Sequence, residues 1–498
     1  MTPTIRTTYL KMRLNMNTTH EYTRKILAAF AQISQIPRPS KREDKIVAWL
    51  LNWAADNGLD ARTDEASNVL IEVPASSGFE NAETLVLQGH MDMVCEKAKG
   101  HEHDFDQDPI ELIFTDDGWL TANQTTLGAD NGIAIAMAMV AATDDKVGHP
   151  HLELLFTTDE ETGLTGASSL QPGFLKGKQL LNIDSEDEGV FTVGCAGGED
   201  ARLVLPFTAD EELPGYEAFK LVGGGMSGGH SGVDIGEQRA NAIKLLFRGI
   251  HLLTQKSDVR IATVSGGTAR NAIPRDAEAV LMIPSSDTGT AVAIIAELEK
   301  KLQSEHAGTD PNLSMTLAPE NGGFKAASAA STRRAIDTVF AYPHGVAAMS
   351  NDMEGLVETS NNLATVSVEN NQLTIISNQR SSNMDSLALL CDRVMAVARL
   401  AGAEGSTSGG YPSWKPNMES ALLARCLEVY AKRFGKKPVV EAIHAGLECG
   451  IIGAKYDGMD MISFGPTIKN PHSPDEKIEI ESIGKVWDFM VALFESYK

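Results

Sequence analysis

Cysteine is scarce. The 498-residue sequence holds five, Cys95, Cys195, Cys391, Cys426 and Cys449, widely spaced and without a CxxC pair. A zinc ribbon or dithiol redox motif is thereby excluded, and reduced thiols in a cytoplasmic protein are the expectation. No apolar run reaches the ~18 residues that span a bilayer, and the opening MTPTIRTTYLKMRLNM lacks the apolar core of a secretory signal. Basic charge is also short: 43 Lys and Arg stand against 67 Asp and Glu, a formal net charge of -24. That balance argues against affinity for nucleic acid or an anionic membrane. The glycine runs Gly223–Gly225 and Gly228–Gly229 lack the GK[ST] ending of a phosphate-binding loop. Solenoid repeats and low-complexity tracts are absent, leaving AASAASTRRA near Ala326 as a linker or a helix start.

What remains is an ordinary globular composition, 42% hydrophobic and 22% charged, in a chain longer than one core supports. Two domains are expected, one of them an insertion. The first 15 or so residues, with Met12 and Met16, read as a disordered extension or an upstream start. Helical spacing over His20–Ile36 predicts a helix, and SKRE at Ser40–Glu43 reads as a capping box opening a second one that ends at Gly58. Strand-forming runs Asn68–Val73, Thr84–Gln88, His151–Thr157 and Gln179–Ile183 alternate with the apolar helical stretch Gly132–Ala142. This is an α/β pattern with a central, mostly parallel sheet. The pattern changes at Gly194–Gly198. Strand candidates near Arg202–Phe207, helices over Gly236–Leu253 and Ala291–Glu305, and a hairpin of Ala364–Glu369 with Gln372–Gln379 joined by Asn-Asn suggest an α+β second domain. From Met418 the first pattern resumes and completes the first sheet, ending in a helix near Ile483–Tyr497.

The chemistry concentrates in GHMD (Gly89–Asp92), GADNG (Gly128–Gly132), TTDEETG (Thr157–Gly163) and NIDSE (Asn182–Glu186), each expected at the end of a predicted strand. In α/β sheets such ends converge on one crevice. Spacings of 40, 31 and 23 residues separate His90, Asp130, Glu161 and Asp184, as successive crossovers would. Carboxylates and imidazole suit divalent cations, and two neighbouring cations need a bridging carboxylate, for which Asp130 is the candidate. Asp92, two residues from His90, is placed to accept the second imidazole N–H and fix its tautomer. Glu160 and Glu161 cannot point the same way on a strand, so one can bind metal while the other faces a water molecule.

These motifs, with a late histidine in NPHSPDE, resemble the M20 metallopeptidases, and within them the aminoacyl-histidine (Xaa-His) dipeptidases. The resemblance implies a catalytic domain of residues 17–197 and 398–498 interrupted by a lid of residues 198–397. It implies two divalent metal ions, zinc first and cobalt or manganese as alternatives, one held by His90, Asp130 and Asp184 and the other by Asp130, Glu161 and His472. Glu160 becomes the general base for hydrolysis of small dipeptides, and a homodimer is allowed. His230 in GMSGGHSGVDIG corresponds to a histidine that polarises the scissile carbonyl, or is a turn residue among glycines. Asn271 and Arg380 resemble groups that hold the substrate's terminal carboxylate. His444 and Gly446, in the returning half of the first domain, either line the substrate pocket or form a structural loop. HEHDFDQD (His101–Asp108) reads as a solvated acidic loop, and His149, His151 and the Met-rich AIAMAMVAA carry no function. An M20-type amidohydrolase of N-acyl amino acids would share the metal site. A non-catalytic metal-dependent binding protein is the rival of another class, against which Glu160, Asp92 and the full ligand set speak.

Overall fold

The computed structural model describes residues 19–498; the expected extension over residues 1–16 lies outside them. The chain divides into two compact units. One takes the chain up to Gly194, with Pro416–Ala442 and Leu447–Lys498; the other takes Cys195–Lys415 and Ile443–Gly446. Each encloses its own apolar core. The return to the first unit falls at Pro416 and not at 398. Helix Met384–Ala401 is followed by strand Glu404–Tyr411, whose hydrogen-bonding partner is Gly197–Pro206, so both stay with the second unit.

The first unit is built on an eight-stranded sheet in the order Asp60–Thr63, Val69–Val73, Leu152–Thr157, Leu85–His90, Gln179–Asn182, Asp460–Ser463, Val190–Cys195, Val439–Ile443. Parallel pairing joins the four central strands, while Asp60–Thr63, Val69–Val73 and Val190–Cys195 pair antiparallel. The expected parallel sheet is thus the middle of a mixed one. Every residue of Leu85–His90 and Leu152–Thr157 is buried, as befits central strands covered on both faces. Helix Ala129–Thr143, apolar on all sides, packs on Leu85–His90 and on helix Glu21–Ile33. Its approach to the strand requires a glycine: a Cβ on Gly89 would lie 2.2 Å from Asn131 Oδ1 and 2.8 Å from Ala134 Cβ.

SKRE does not cap a helix. Helix Asp44–Asp56 starts at Glu43 without a side-chain cap, and Ser40 instead donates to Asp92 Oδ2 at 2.8 Å. Local spacing matched a cap; a tertiary partner took the hydroxyl.

The second unit is an antiparallel nine-stranded sheet whose core also takes in helices Ala242–Thr254, Thr288–Glu305, Ala329–Ala341 and Met384–Ala401. The Asn-Asn hairpin joins Val357–Glu369 to Gln372–Ser381, with Asn370 and Asn371 at φ 50° and 61°, the left-handed pair that a two-residue turn of this twist demands. AASAASTRRA resolves into a helix start: Ser328 caps Ala329–Ala341 by accepting from Ser331 N.

Candidate active site

Three of the four central strands end beside the acidic motifs. Leu85–His90 ends on His90, Leu152–Thr157 stops three residues before Glu160, and Gln179–Asn182 stops two before Asp184. Asp130 stands at the head of helix Ala129–Thr143 with non-helical angles (φ -79°, ψ 105°), and the Asp130–Asn131 peptide bond is cis. His472 comes from the loop after Ile468–Lys469, itself in the left-handed region at φ 59°.

These side chains meet. His90 Nε2 lies 3.0 Å from Asp130 Oδ1 and 3.5 Å from Asp184 Oδ1; His472 Nε2 lies 3.3 Å from Asp130 Oδ2 and 3.0 Å from Glu161 Oε2. Two groups of ligand atoms, each within 4.8 Å of one another, result: His90 with Asp130 and Asp184, and Asp130 with Glu161 and His472. A third, His90 with Glu160 and Glu161, satisfies the same distance. None of the residues in His101–Asp108 joins such a group. Asp184 Oδ1 and Glu161 Oε1 are buried without a hydrogen-bond partner. Orphaned carboxylate oxygens in a buried acidic cluster are costly, and a divalent cation among these donors removes that cost, so the residues fit a metal.

The electrostatics follow from crowding charge out of water. Burial alone would lower His90, but the carboxylates of Asp184, Asp130 and Asp92 hold it well above the ordinary histidine range. Hydrogen bonds to Asp130 and Glu161 push His472 up to about 11. Burial opposes ionisation of Asp130, yet His472 and His90 keep its carboxyl low; Asp184, with less compensation, is raised to about 6. Burial lifts Glu160 well above the usual carboxyl range, the charge of His90 pulling down and those of Asp184, Glu161 and Glu448 pushing up.

Glu160 and Glu161 do not sit on a strand. They open the short helix Glu160–Gly163 behind Asp159, which is at φ 50°. Both of their N–H groups donate to Asp92, at 3.0 Å and 3.2 Å, and His90 Nδ1 lies 3.3 Å from Asp92 Oδ1 and 3.2 Å from its backbone oxygen. Asp92 therefore aligns the histidine and the glutamate pair at once.

Several residues that hold the site escaped sequence reasoning. Asn131 accepts from His90 N and donates to Ile183 O, tying together three of the motifs. Glu476 spans Leu127 N, Gly128 N, Ala129 N and Asp130 N at 2.7 to 3.4 Å, joining the His472 loop to the helix that carries Asp130. The buried Arg38 donates to Met91 O, Asp92 O and Gly128 O, and fully buried Glu448 takes Gln88 Nε2 and Thr157 Oγ1, both at 2.6 Å. Asn131 and Glu476 lie inside quoted motifs, which is the signal that could have found them; Arg38 and Glu448 carry none.

The second unit gathers the remaining candidates. His230 Nδ1 accepts from Gly232 N and Val233 N, which places the imidazole proton on Nε2 as a donor. Asn271 is exposed, its carbonyl taking Ser231 N at 2.8 Å. Arg380 is buried and donates to Ser231 Oγ and Tyr411 OH. His444 and Gly446, expected in the first domain, belong to this unit. His444 Nε2 is 2.7 Å from Ser360 Oγ, and a Cβ on Gly446 would press on Tyr411 at 2.9 Å.

Residues 86–496 match the profile of peptidase family M20/M25/M40. The chain belongs to this family. It is accordingly a hydrolase of peptide bonds that works with divalent metal. It is 39% identical over 469 residues to the cytosol non-specific dipeptidase of Escherichia coli, covering 94% of this chain and 96% of that one. The crystal structure of aminoacylhistidine dipeptidase from Vibrio alginolyticus is similar at a TM-score of 0.85 and 40% identity, over 95% and 96% of the two chains. A tripeptidase from Staphylococcus aureus, 16% identical with a TM-score of 0.56 over 95% and 98%, shares the fold. Among the described residues no helix is long and apolar enough to cross a membrane.

Proposed function

We propose that this chain is a cytoplasmic dipeptidase, hydrolysing small dipeptides including Xaa-His substrates, with two divalent cations, zinc in the first place, held by His90, Asp130 and Asp184 and by Asp130, Glu161 and His472. The observation that carries the reading is Asp130: its two oxygens face different histidines, His90 at 3.0 Å and His472 at 3.3 Å, as a bridging carboxylate must. The names of the E. coli and Vibrio relatives support the substrate class.

Metal bound here supplies a lowered water pKa, towards ~7, and a Lewis acid for the scissile carbonyl. Glu160 takes the proton of the attacking water and returns it to the leaving amine nitrogen. A carboxylate placed beside both the water and the leaving nitrogen can serve the two steps in turn. Asp92 keeps Glu160 and His90 in register. His230, with its proton on Nε2, donates to the carbonyl oxygen as negative charge develops. Arg380 and Asn271 hold the substrate carboxylate, with His444 and Gly446 beside them, and the catalytic and lid roles fall to the first and second units.

The test is metal analysis with a panel of Xaa-His and other dipeptides, N-acetyl amino acids as the contrast, and Glu160→Gln. Two metals per chain and preference for free dipeptides are expected. Glu160→Gln should keep its metal and lose roughly 100-fold or more in kcat. Unimpaired turnover by that variant in a metal-replete sample refutes the assignment.

A further inference from the structure

Arg380 is only 6% exposed, yet among the described residues no carboxylate lies within ion-pair distance of it. Nε donates to Ser231 Oγ at 3.2 Å and Nη1 to Tyr411 OH at 2.9 Å, which leaves both N–H groups of Nη2 without an acceptor among those residues. A largely buried guanidinium with no counter-charge beside it and a free edge at Nη2 is suited to a ligand that brings the charge.

Tyr411 is placed with equal care. In strand register it stands opposite Gly198, where a Cβ would fall 2.6 Å from its hydroxyl, and Gly446 leaves room for its ring on another side. Two positions without side chains thus admit one phenol. Because its oxygen receives the Nη1 proton, its own O–H points elsewhere and has no acceptor among the described residues. His444 adds no competing cation: burial, with Arg380 and His230 nearby, pushes it down to about 3.

We propose that Tyr411 and Arg380 form one anion site in the second unit, in which the guanidinium and the phenol O–H both bind the free carboxylate of the substrate; this rests on the dipeptidase reading above. Tyr411 is then a specificity residue that orients Arg380 and donates to the same anion.

The metal-loaded full chain, Tyr411→Phe and Arg380→Ala are assayed on one dipeptide with a free C-terminal carboxylate and on its C-terminal amide, and the acid-to-amide ratio of kcat/KM is compared. This ratio is insensitive to any inactive fraction, and phenylalanine keeps the ring over Gly198 and Gly446. Losing a hydrogen bond to a charged group should lower the ratio about tenfold in Tyr411→Phe, through KM, with kcat for the acid little changed. Arg380→Ala should abolish the preference. A parent ratio near unity, or one that Arg380→Ala leaves intact, overturns the carboxylate reading itself. A large parent ratio that Arg380→Ala collapses and Tyr411→Phe leaves unchanged overturns the role of Tyr411 alone.

Discussion

Replacing Glu476 with glutamine should loosen the head of helix Ala129–Thr143 where Asp130 stands. The carboxylate is 2% exposed; Oε2 takes Leu127 N at 2.7 Å and Gly128 N at 3.0 Å, and Oε1 takes Ala129 N at 2.9 Å and Asp130 N at 3.4 Å. An amide keeps one oxygen and turns its NH2 on the other pair, donor against donor. The cheaper orientation sets the NH2 against Ala129 and Asp130, because the 3.4 Å bond is the weakest of the four. Two bonds to Oε1 are lost: that of Ala129 N to a charged acceptor, ~1.5–3 kcal/mol, and the weaker one of Asp130 N, whose desolvated N–H costs ~1–3 kcal/mol, about 2.5–6 kcal/mol together. For a unit of this size that lowers the thermal midpoint by roughly 5–10 °C. Metal binding should weaken too, since Asp130 and the His472 loop lose their common anchor. The assay is thermal unfolding of metal-free protein at pH 8, where this carboxyl, raised by burial to about 7, is mostly ionised, followed by a metal titration. A glutamine variant melting within about 1 °C of the parent refutes the reasoning, because four N–H groups cannot exchange a carboxylate for an amide at so small a cost.

The glycine in GHMD is a packing requirement, so Gly89→Ala, whose Cβ would overlap Asn131 Oδ1 at 2.2 Å, should cost about 1–3 kcal/mol and weaken metal binding by shifting Asn131; an unchanged urea midpoint counts against it. In the second unit, His344 Nδ1 accepts from Asn241 Nδ2 and Leu363 N, both at 3.3 Å, and burial with Lys244 nearby lowers the imidazole to about 4. The unfolded histidine, near 6.5, binds the extra proton first, so stability is full above that value and is lost as pH falls through about 4, by up to ~3 kcal/mol. Unfolding midpoints from pH 7 to 4 should therefore fall less steeply in His344→Gln, and parallel curves would remove His344 from the account.

Much of the site was legible because ligand chemistry and strand ends leave local marks. His90, Asp130, Glu161 and Asp184 each end a strand or start a helix in a motif of their own, and one α/β sheet brings such positions together. The hairpin turn was equally local: two consecutive asparagines suit two left-handed residues. Where a residue's partner is remote, the pattern misled. Ser40 had the spacing of a cap but bonds Asp92, and the glutamate pair stands on a helix turn that Asp92 holds from outside.

By itself, then, the sequence determined the donor set, the alternation that makes an α/β unit, and the interruption after Gly194. Only the tertiary structure decided that the second unit runs to Lys415, that His444 and Gly446 belong to it, and that Glu476 and Asn131 tie together the segments carrying His90, Asp130, Asp184 and His472. The physical reason is the same throughout. A donor's chemistry is carried by its own side chain, whereas a boundary or a support is a pairing between groups far apart in sequence, such as Glu404–Tyr411 with Gly197–Pro206 or Glu476 with Leu127, and no short window contains both halves.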